Sequence, residues 1–301
     1  MRKIFRVIPK IPSVIKEFFF WDYCYDSIKA RKIRSAVIST TEINEEIRES
    51  LILKNIKVVP FSIDVSDFEQ FLQKTNPIYR KFHYYTGKAS INFTEKALEH
   101  YLADIFLNFT KDDTYIDIAN AESPVPEIYH HLHGCEVYRQ DLIFPEGIHG
   151  NVIGGSADKL PLKNNFASKM ALHCSFEHFE NDSDVRFIPE AERVLKKGGK
   201  LCIVPLYLHN EYAIQTDPAF IPLRELHNLP FEKDATIYCA KGWSNRHGRS
   251  YDVEHFINRI VNSCPDLNLT IYYIKNEKEI NPRCYVKFVA VFEKTNPNSQ
   301  S

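Results

Sequence analysis

The sequence predicts an α/β protein in which a mostly parallel, doubly wound sheet carries helices on both faces. Short apolar stretches alternate with helical stretches between residues 114 and 208, a pattern typical of successive βαβ units. Two long stretches rich in β-branched and aromatic residues, 269–277 and 284–294, have a short connection that predicts an antiparallel pair. The chain has 301 residues, of which 44% are apolar. It is therefore long enough for one large domain with an appendage.

Helical periodicity is clear between residues 94 and 109. Apolar side chains such as Leu98, Leu102 and Phe106 recur there at intervals of three and four residues. Thr94 can cap the first turn of this helix.

The stretch before this helix is irregular. Residues 58–64 have the composition of a strand, and residues 66–75 form a short helical pattern with Ser66 as the capping residue. We therefore predict a mixed helical N-terminal extension over residues 1–90 and the main domain over residues 91–301.

The alternating part of the main domain has recognisable helix boundaries. Ser123 as the N-cap and Pro124 at the first position open one helix, and Pro189 marks the start of the regular part of another, which Gly198 and Gly199 end. The predicted strands are 114–119, 136–142, 150–156, 167–174 and 200–208, and the predicted helices are 124–133, 184–197 and 251–261.

Composition excludes several classes of protein. The ten glycines do not form a G-x-G-x-x-G or Walker loop, and the net charge of −1 gives no general signal for nucleic acid. The seven cysteines are scattered singly, which is typical of reduced thiols in the cytoplasm rather than of disulfides or a zinc site. No apolar run is long enough to predict a transmembrane segment.

Polar residues stand at the carboxyl ends of four predicted strands. These residues are Asp117, Asp141, Ser156 and His173. In an open α/β sheet, ligands bind outside the carboxyl ends of the strands, where the strand order reverses. We therefore expect these four positions to converge on one crevice.

The residues from 114 to 208 resemble class I S-adenosylmethionine-dependent methyltransferases, of the kind grouped as methyltransferase type 11. The resemblance is most specific in "GGSADKLPLKNNFASKMALHCSFEHFENDSDVRFIPEAERVLKKGGKLCIVPL". This stretch is similar to the family order of an acidic turn, a Leu-Pro pair, a strand, a Glu-His pair, a helix and a fifth strand. It implies a seven-stranded sheet whose last strand is antiparallel.

The resemblance also implies a cofactor site for S-adenosyl-L-methionine. Asp117 and the loop 118–123, including Ala119 and Asn120, would hold the methionine part, and Asp141 would accept hydrogen bonds from the ribose. The residues that would face the adenine are Ser156, Ala157 and Asp158.

The sequence departs from the family in the loop after the first strand. The family usually has Asp-x-Gly-x-Gly, whereas this chain has "DIANAES". Glycine suits such a loop because the backbone approaches the cofactor closely and can need a positive φ angle. Ala119 and Ala121 are the next smallest residues, and Asn120 tolerates left-handed geometry.

The acceptor side is expected from the insertion at about 209–250, which would lie over the crevice. Five of its residues combine a stacking ring, two anion-binding groups and an imidazole, as a saccharide or phosphorylated sugar would need: Trp243, Arg246, His247, Arg249 and Tyr251. The alternative is a solvated loop whose arginines pair with acids on neighbouring helices. Tyr207 ends the fifth strand near the same crevice. His173 is the preferred base or a residue that lines the cofactor pocket, and His178 is a second histidine beside it.

The predicted function is methyl transfer from S-adenosylmethionine to a small-molecule or saccharide acceptor, at oxygen and without a metal. The alternative is an inactive methyltransferase-like scaffold, which titration with the cofactor would distinguish. The basic, aromatic segment 1–36 is a candidate contact for a membrane surface or a protein, or a packed extension. Glu127, His130 and His133 have a spacing that a metal site could use, but their helix is expected to turn them to solvent.

Overall fold

The computed structural model describes residues 32–33, 36–82, 92–217 and 231–295. Its strands, numbered along the chain, are β1 (Lys32–Ile33), β2 (Lys57–Phe61), β3 (Thr114–Ile118), β4 (Glu136–Asp141), β5 (Gly147–His149), β6 (Val152–Gly154), β7 (Ala167–His173), β8 (Leu195–Val204), β9 (Ala213–Thr216), β10 (Thr236–Cys239), β11 (Gly248–Ser250), β12 (Leu267–Ile274) and β13 (Phe288–Lys294). Its α-helices are α1 (Thr41–Leu53), α2 (Val65–Lys81), α3 (Phe93–Leu107), α4 (Val125–His133), α5 (Ser183–Val194), α6 (Val253–Arg259) and α7 (Glu277–Ile280). Most of the basic N-terminal segment lies outside the described residues.

Within the described residues, nine strands form one sheet in the order β2-β12-β13-β8-β7-β3-β4-β6-β5. The sheet is mostly parallel, but β13 runs antiparallel to both β8 and β12, and β5 is antiparallel to β6. The chain moves outward from β3 to β4 and β6, and then returns to the other side of β3 with β7 and β8. The order therefore reverses between β3 and β7, where a ligand crevice is expected.

The central strands separate two apolar layers. Ile116 and Leu172 join one layer, whereas Tyr115 and Ala171, which point to the opposite face, join the other. Helices α1, α5 and α6 pack in the first layer, and α2, α3 and α4 pack in the second. Helices on both faces confirm the predicted doubly wound fold, since successive side chains of a strand point to opposite faces.

The helix after β7 differs from the prediction at both ends. It runs from Ser183 to Val194 through Pro189, and β8 begins at Leu195, before Gly198. Strand pairing explains the early end, because Leu195 is already in register with Ala167. The residues that follow bulge out of the ladder, and Gly198 takes a φ of 74° there.

The predicted capping residues also shift by one or two positions. Asp64 caps α2 instead of Ser66, because its carboxylate accepts from the backbone N–H of Ser66 at 2.9 Å. Pro124 is the N-cap of α4, and the helix begins at Val125. Asn92 rather than Thr94 is at the N-cap of α3.

Two parts of the chain join the sheets in ways that the sequence did not predict. Strand β2, from within residues 1–90, pairs in parallel with β12 at the edge of the large sheet. Strands β9, β10 and β11 lie within residues 209–250 and form a second sheet with β1. The domain division at residue 90 stays a prediction. Among the described helices, none has the length and apolar character needed to cross a membrane.

Candidate active site

A cavity of about 640 Å³ opens at the carboxyl ends of β3, β4 and β7. The sequence-predicted residues Asp117, Ala119, Asn120, Asp141 and His173 all line it. The strand order explains this convergence, because β4 and β7 are the two neighbours of β3. We call this space the strand-end cavity.

The loop after β3 has a strained backbone at two of the positions where glycine was expected. Ala119 and Ala121 have φ angles of 53° and 46°, and the next residue, Glu122, has 64°. Each such angle costs an L-residue about 1–2 kcal/mol. The loop therefore keeps a left-handed shape without glycine, and the left-handed residues are the alanines rather than Asn120.

Hydrogen bonds hold this loop in place. The N–H of Ala121 donates to Asp141 Oδ2 at 2.7 Å, and the side-chain amide of Asn120 donates to Asp117 Oδ2 at 2.6 Å. The amide of Asn120 also donates to the carbonyl of Ser123 at 3.0 Å. The two acids at the strand ends thus fix the loop that forms one wall of the cavity.

Asp117 and His173 are buried side by side, and burial shifts the pKa of each in the direction that favours its uncharged form. Burial raises the pKa of Asp117 to about 7, although hydrogen bonds from Asn120 and Tyr115 lower it. Burial lowers the pKa of His173 to about 3. The 3.6 Å approach of His173 Nε2 to Asp117 Oδ1 is therefore not an ion pair, since the imidazole is neutral.

Helix α3 contributes polar side chains to which the sequence analysis gave no role. Glu95, Lys96, Glu99 and His100 are all buried, and Lys96 donates to Glu99 Oε1 at 2.5 Å. Burial lowers the pKa of Lys96, but the Glu99 carboxylate and its other neighbours hold it well above the usual value. The available signal was the spacing of these residues, which places them together along one side of the helix.

A second cavity, of about 710 Å³, lies beside the first. Its wall includes Tyr207, three residues after β8, Trp243 from the predicted insertion, and Tyr285 before β13. The Tyr207 and Tyr285 rings stack with centroids 6.4 Å apart. We call this space the aromatic cavity.

The two cavities meet at Lys96, Cys174 and His178, which line both. Cys174 follows β7 with a φ of 50°. Its thiol donates to Glu177 Oε1 at 3.2 Å and lies 3.5 Å from the Tyr207 hydroxyl. A group passing from one cavity to the other would move past this thiol.

Other sequence-predicted residues do not line either cavity in the described part of the chain. Ser156 donates to Asp158, and Asp158 pairs with Arg186 at 2.7 Å, whereas Ala157 is in the apolar core. The guanidinium of Arg246 binds Glu180 at 2.5 and 2.6 Å.

His247 and the polar residues of α4 also lie outside the linings of the two cavities. His247 is 2% exposed, and its carbonyl accepts from His178. On α4, Glu127 pairs with Arg139, His130 with the carbonyl of Cys135, and His133 with Asp104. Within the described residues, no group of three His, Cys, Asp or Glu side chains is placed to hold a metal.

Three buried polar atoms around the strand-end cavity have no hydrogen-bond partner among the described residues. They are Asn120 Oδ1, His173 Nδ1 and Ser175 Oγ. A buried polar atom without a partner is costly. This cavity is therefore built to receive a ligand with several polar groups.

Comparison with known proteins gives a family for part of the chain. Residues 131–203, from the end of α4 into β8, match the family model described as a methyltransferase domain. No curated protein sequence matches the chain closely enough to count as a relative.

Several solved structures are similar at low identity. A 1,6-didemethyltoxoflavin N1-methyltransferase of Burkholderia thailandensis, with bound S-adenosylhomocysteine, is 9% identical with a TM-score of 0.46, over 87% of this chain and 93% of that one. The PH0226 protein of Pyrococcus horikoshii is 16% identical with a TM-score of 0.43, over 73% and 99%. A complex of a methyltransferase with the activator Trm112 from Haloferax volcanii is 11% identical with a TM-score of 0.44, over 74% and 97%.

At these TM-scores the solved structures do not identify a family, and the domain match is confined to residues 131–203. The matched residues contain β4, β6, β7 and most of β8, which surround the point where the strand order reverses. The antiparallel strand β13 next to β8 agrees with the reversed last strand that the resemblance implied, although the described sheet has nine strands rather than seven, because β2 and the short β5 extend its two edges. Residues 131–203 therefore match a methyltransferase domain, and the sheet built around them has the strand reversal and the antiparallel strand that the resemblance implied.

Proposed function

We propose that the protein transfers a methyl group from S-adenosylmethionine to the oxygen of a hydroxylated small molecule, and that a saccharide is the acceptor. The observation that carries this proposal is the junction of two cavities at Cys174. One cavity has the strand-end acids, and the other has aromatic walls. Aromatic faces with nearby polar groups suit the apolar face and the hydroxyls of a sugar.

The strand-end cavity fits the cofactor through its own residues. We assign Asp117, Ala119, Asn120, Asp141 and His173 to cofactor binding. Asn120 Oδ1 supplies a buried acceptor and His173 Nδ1 a buried donor or acceptor, and neither has a partner among the described residues. Ser156, Ala157 and Asp158 remain a prediction for the adenine side.

The cofactor supplies an electrophilic methyl group, so the protein's main task is to position the acceptor oxygen. We assign this task to the Tyr207 hydroxyl, which lies close to the thiol shared by both cavities. Burial raises the pKa of Tyr207 well above its usual value, so the phenol keeps its proton. It can donate to or accept from the acceptor hydroxyl, but it does not act as a phenolate base.

His173 is better suited to hydrogen bonding than to taking up a proton. Its pKa of about 3 makes it a weak base at neutral pH. His247 and Arg246 stay candidates for an indirect role in catalysis, through the residues that line the aromatic cavity, since neither lines it itself.

A cytoplasmic location is also proposed. Five described cysteines, at 135, 174, 202, 264 and 284, carry thiols rather than disulfides, as is usual in a reducing compartment. The contact of the N-terminal segment with a membrane surface or protein stays a prediction.

Transfer of labelled methyl from S-adenosylmethionine to neutral mono- and disaccharides tests the proposal. We expect labelled methyl ethers, and we expect Tyr207→Phe to lower kcat about tenfold while affinity for S-adenosylhomocysteine is unchanged. Tyr138→Phe is the matched control, because the Tyr138 hydroxyl donates a hydrogen bond to Glu136 outside both cavities. Cofactor binding without transfer to any hydroxylated molecule would contradict the proposal.

A further inference from the structure

Glu177 places a buried carboxylate oxygen at the wall of the aromatic cavity. The residue is 7% exposed and lines the cavity. Its Oε1 accepts from the Cys174 thiol, whereas Oε2 has no hydrogen-bond partner among the described residues. A buried carboxylate of this kind requires a donor or a positive charge.

The basic side chains around the cavity do not provide that charge. Lys96 pairs with Glu99 at 2.5 Å, Lys287 with Glu277 at 3.0 Å, and Arg249 with both Asp184 and Glu232. Each lysine or arginine that lines the cavity within the described residues thus has a carboxylate of its own. Glu177 is an additional acid.

His178 does not provide a partner for Glu177 Oε2 either. Its Nε2 lies 3.6 Å from Glu177 Oε1, and its Nδ1 faces the carbonyl of His247 at 2.5 Å. The imidazole therefore approaches the oxygen that already accepts from Cys174, and it leaves Oε2 without a partner. Glu177 Oε2 therefore has no hydrogen-bond partner among the described residues, in a side chain that lines the aromatic cavity.

The other walls also favour a cation. Tyr207 and Trp243 line the same cavity, and the ring of Tyr285, which also lines it, already has the Lys96 ammonium 5.6 Å from its centroid. Aromatic faces attract ammonium groups, and the attraction is stronger where water is excluded. A carboxylate and aromatic rings together are suited to a protonated amine.

We propose that the acceptor carries a protonated amino group, bound by Glu177 and the aromatic walls, beside the hydroxyl that is methylated. This inference rests on the proposed function, because it assumes that the aromatic cavity holds the acceptor. It replaces the sequence expectation of a phosphorylated sugar. Arg246 and Arg249, on which that expectation depended, are bound to Glu180 and to Asp184 and Glu232. Anionic sugars would meet Glu177 without a compensating charge.

Calorimetric titration of the protein loaded with S-adenosylhomocysteine tests this selectivity without turnover. The probes are glucosamine, glucose and glucose 6-phosphate. We expect glucosamine to bind at least about tenfold more tightly than glucose, and glucose 6-phosphate to bind more weakly than either. This comparison uses the native chain and needs no variant.

Glu177→Gln tests the residue itself. We expect it to bring glucosamine and glucose to similar affinities while S-adenosylhomocysteine still binds, and this retained binding shows that the variant is folded. Glu69→Gln, the same change at an exposed position on α2, should keep the preference.

Three results would overturn the inference: no binding of glucosamine to the loaded protein, equal or tighter binding of glucose or its phosphate, or a preference that survives Glu177→Gln. Failure of S-adenosylhomocysteine to bind the native protein would instead overturn the proposed function.

Discussion

The backbone N–H of Ala121 donates to the Asp141 carboxylate at 2.7 Å, and this bond joins the loop after β3 to the end of β4. The second carboxylate oxygen of Asp141 accepts from the N–H of Ile143 at 3.1 Å. Asp141 therefore organises two backbone segments around the strand-end cavity, which it also lines.

Asp141→Asn should weaken cofactor binding by tenfold or more, since a hydrogen bond to a charged group contributes about 1.5–3 kcal/mol. Calorimetry with S-adenosylhomocysteine measures the effect. Asp112→Asn, at an exposed acid in the turn before β3, is the matched control and should bind normally. Native affinity in Asp141→Asn would mean that another acid holds the cofactor.

Substitution with glycine should relieve the backbone strain at the two left-handed alanines, Ala119 and Ala121. Ala119→Gly and Ala121→Gly should each raise the free energy of unfolding by about 1 kcal/mol, because glycine adopts a positive φ without steric cost. Ala103→Gly in α3 is the control, and it should lower stability by about 1 kcal/mol or more. Denaturant unfolding measures all three, and destabilisation by the loop glycines would show that the loop has another shape.

Asp117 and His173 should make opposite contributions to the pH dependence of stability. The pKa of Asp117 is raised from 3.8 to about 7 in the folded protein, so its contribution is lost as the pH rises through that interval. The pKa of His173 is lowered from 6.5 to about 3, so its contribution is lost as the pH falls through that interval. The two effects oppose each other between about pH 4 and 6.5.

Variants should separate these two contributions. We expect Asp117→Asn to lose stability as the pH falls and His173→Gln to lose stability as the pH rises, with slopes of at most about 1.4 kcal/mol per pH unit. Urea unfolding of the cofactor-free protein at several pH values provides the measurement. The same slope in both variants would refute the assignment.

Arg246 should affect turnover through Glu180 rather than by touching the acceptor. Their bidentate ion pair fixes the segment that follows Glu177 and His178. Arg246→Ala and Glu180→Gln should therefore lower kcat by similar factors, and the double variant should be no worse than either single one. Cofactor affinity should stay unchanged in all three.

The stability of the same variants gives a second measurement. Both side chains are partly exposed, at 35% and 26%, so their coupling should be modest, about 0.5–1 kcal/mol. If Arg246→Ala alone abolished turnover, the direct contact with the acceptor that the sequence suggested would be favoured.

The sequence by itself determined most of the sheet and one end of the candidate site. Alternating strands and helices fix a parallel sheet, and the carboxyl ends of parallel strands lie at one edge. Asp117, Asp141 and His173 were therefore predicted to lie together, because each stands at or next to the last position of its strand.

Tertiary structure decided which polar residues are buried and what each one faces. Helical periodicity identified the apolar face of α3, yet Glu99 is fully buried while Ile105 is 40% exposed, because the polar side of this helix faces the two cavities. The partners of charged residues in the insertion also depended on tertiary structure. Arg246 and Arg249 carry the charge that an anion needs, but acids from other parts of the chain bind them. Charge is visible in a sequence, whereas its neutralisation by a distant residue depends on how the chain folds.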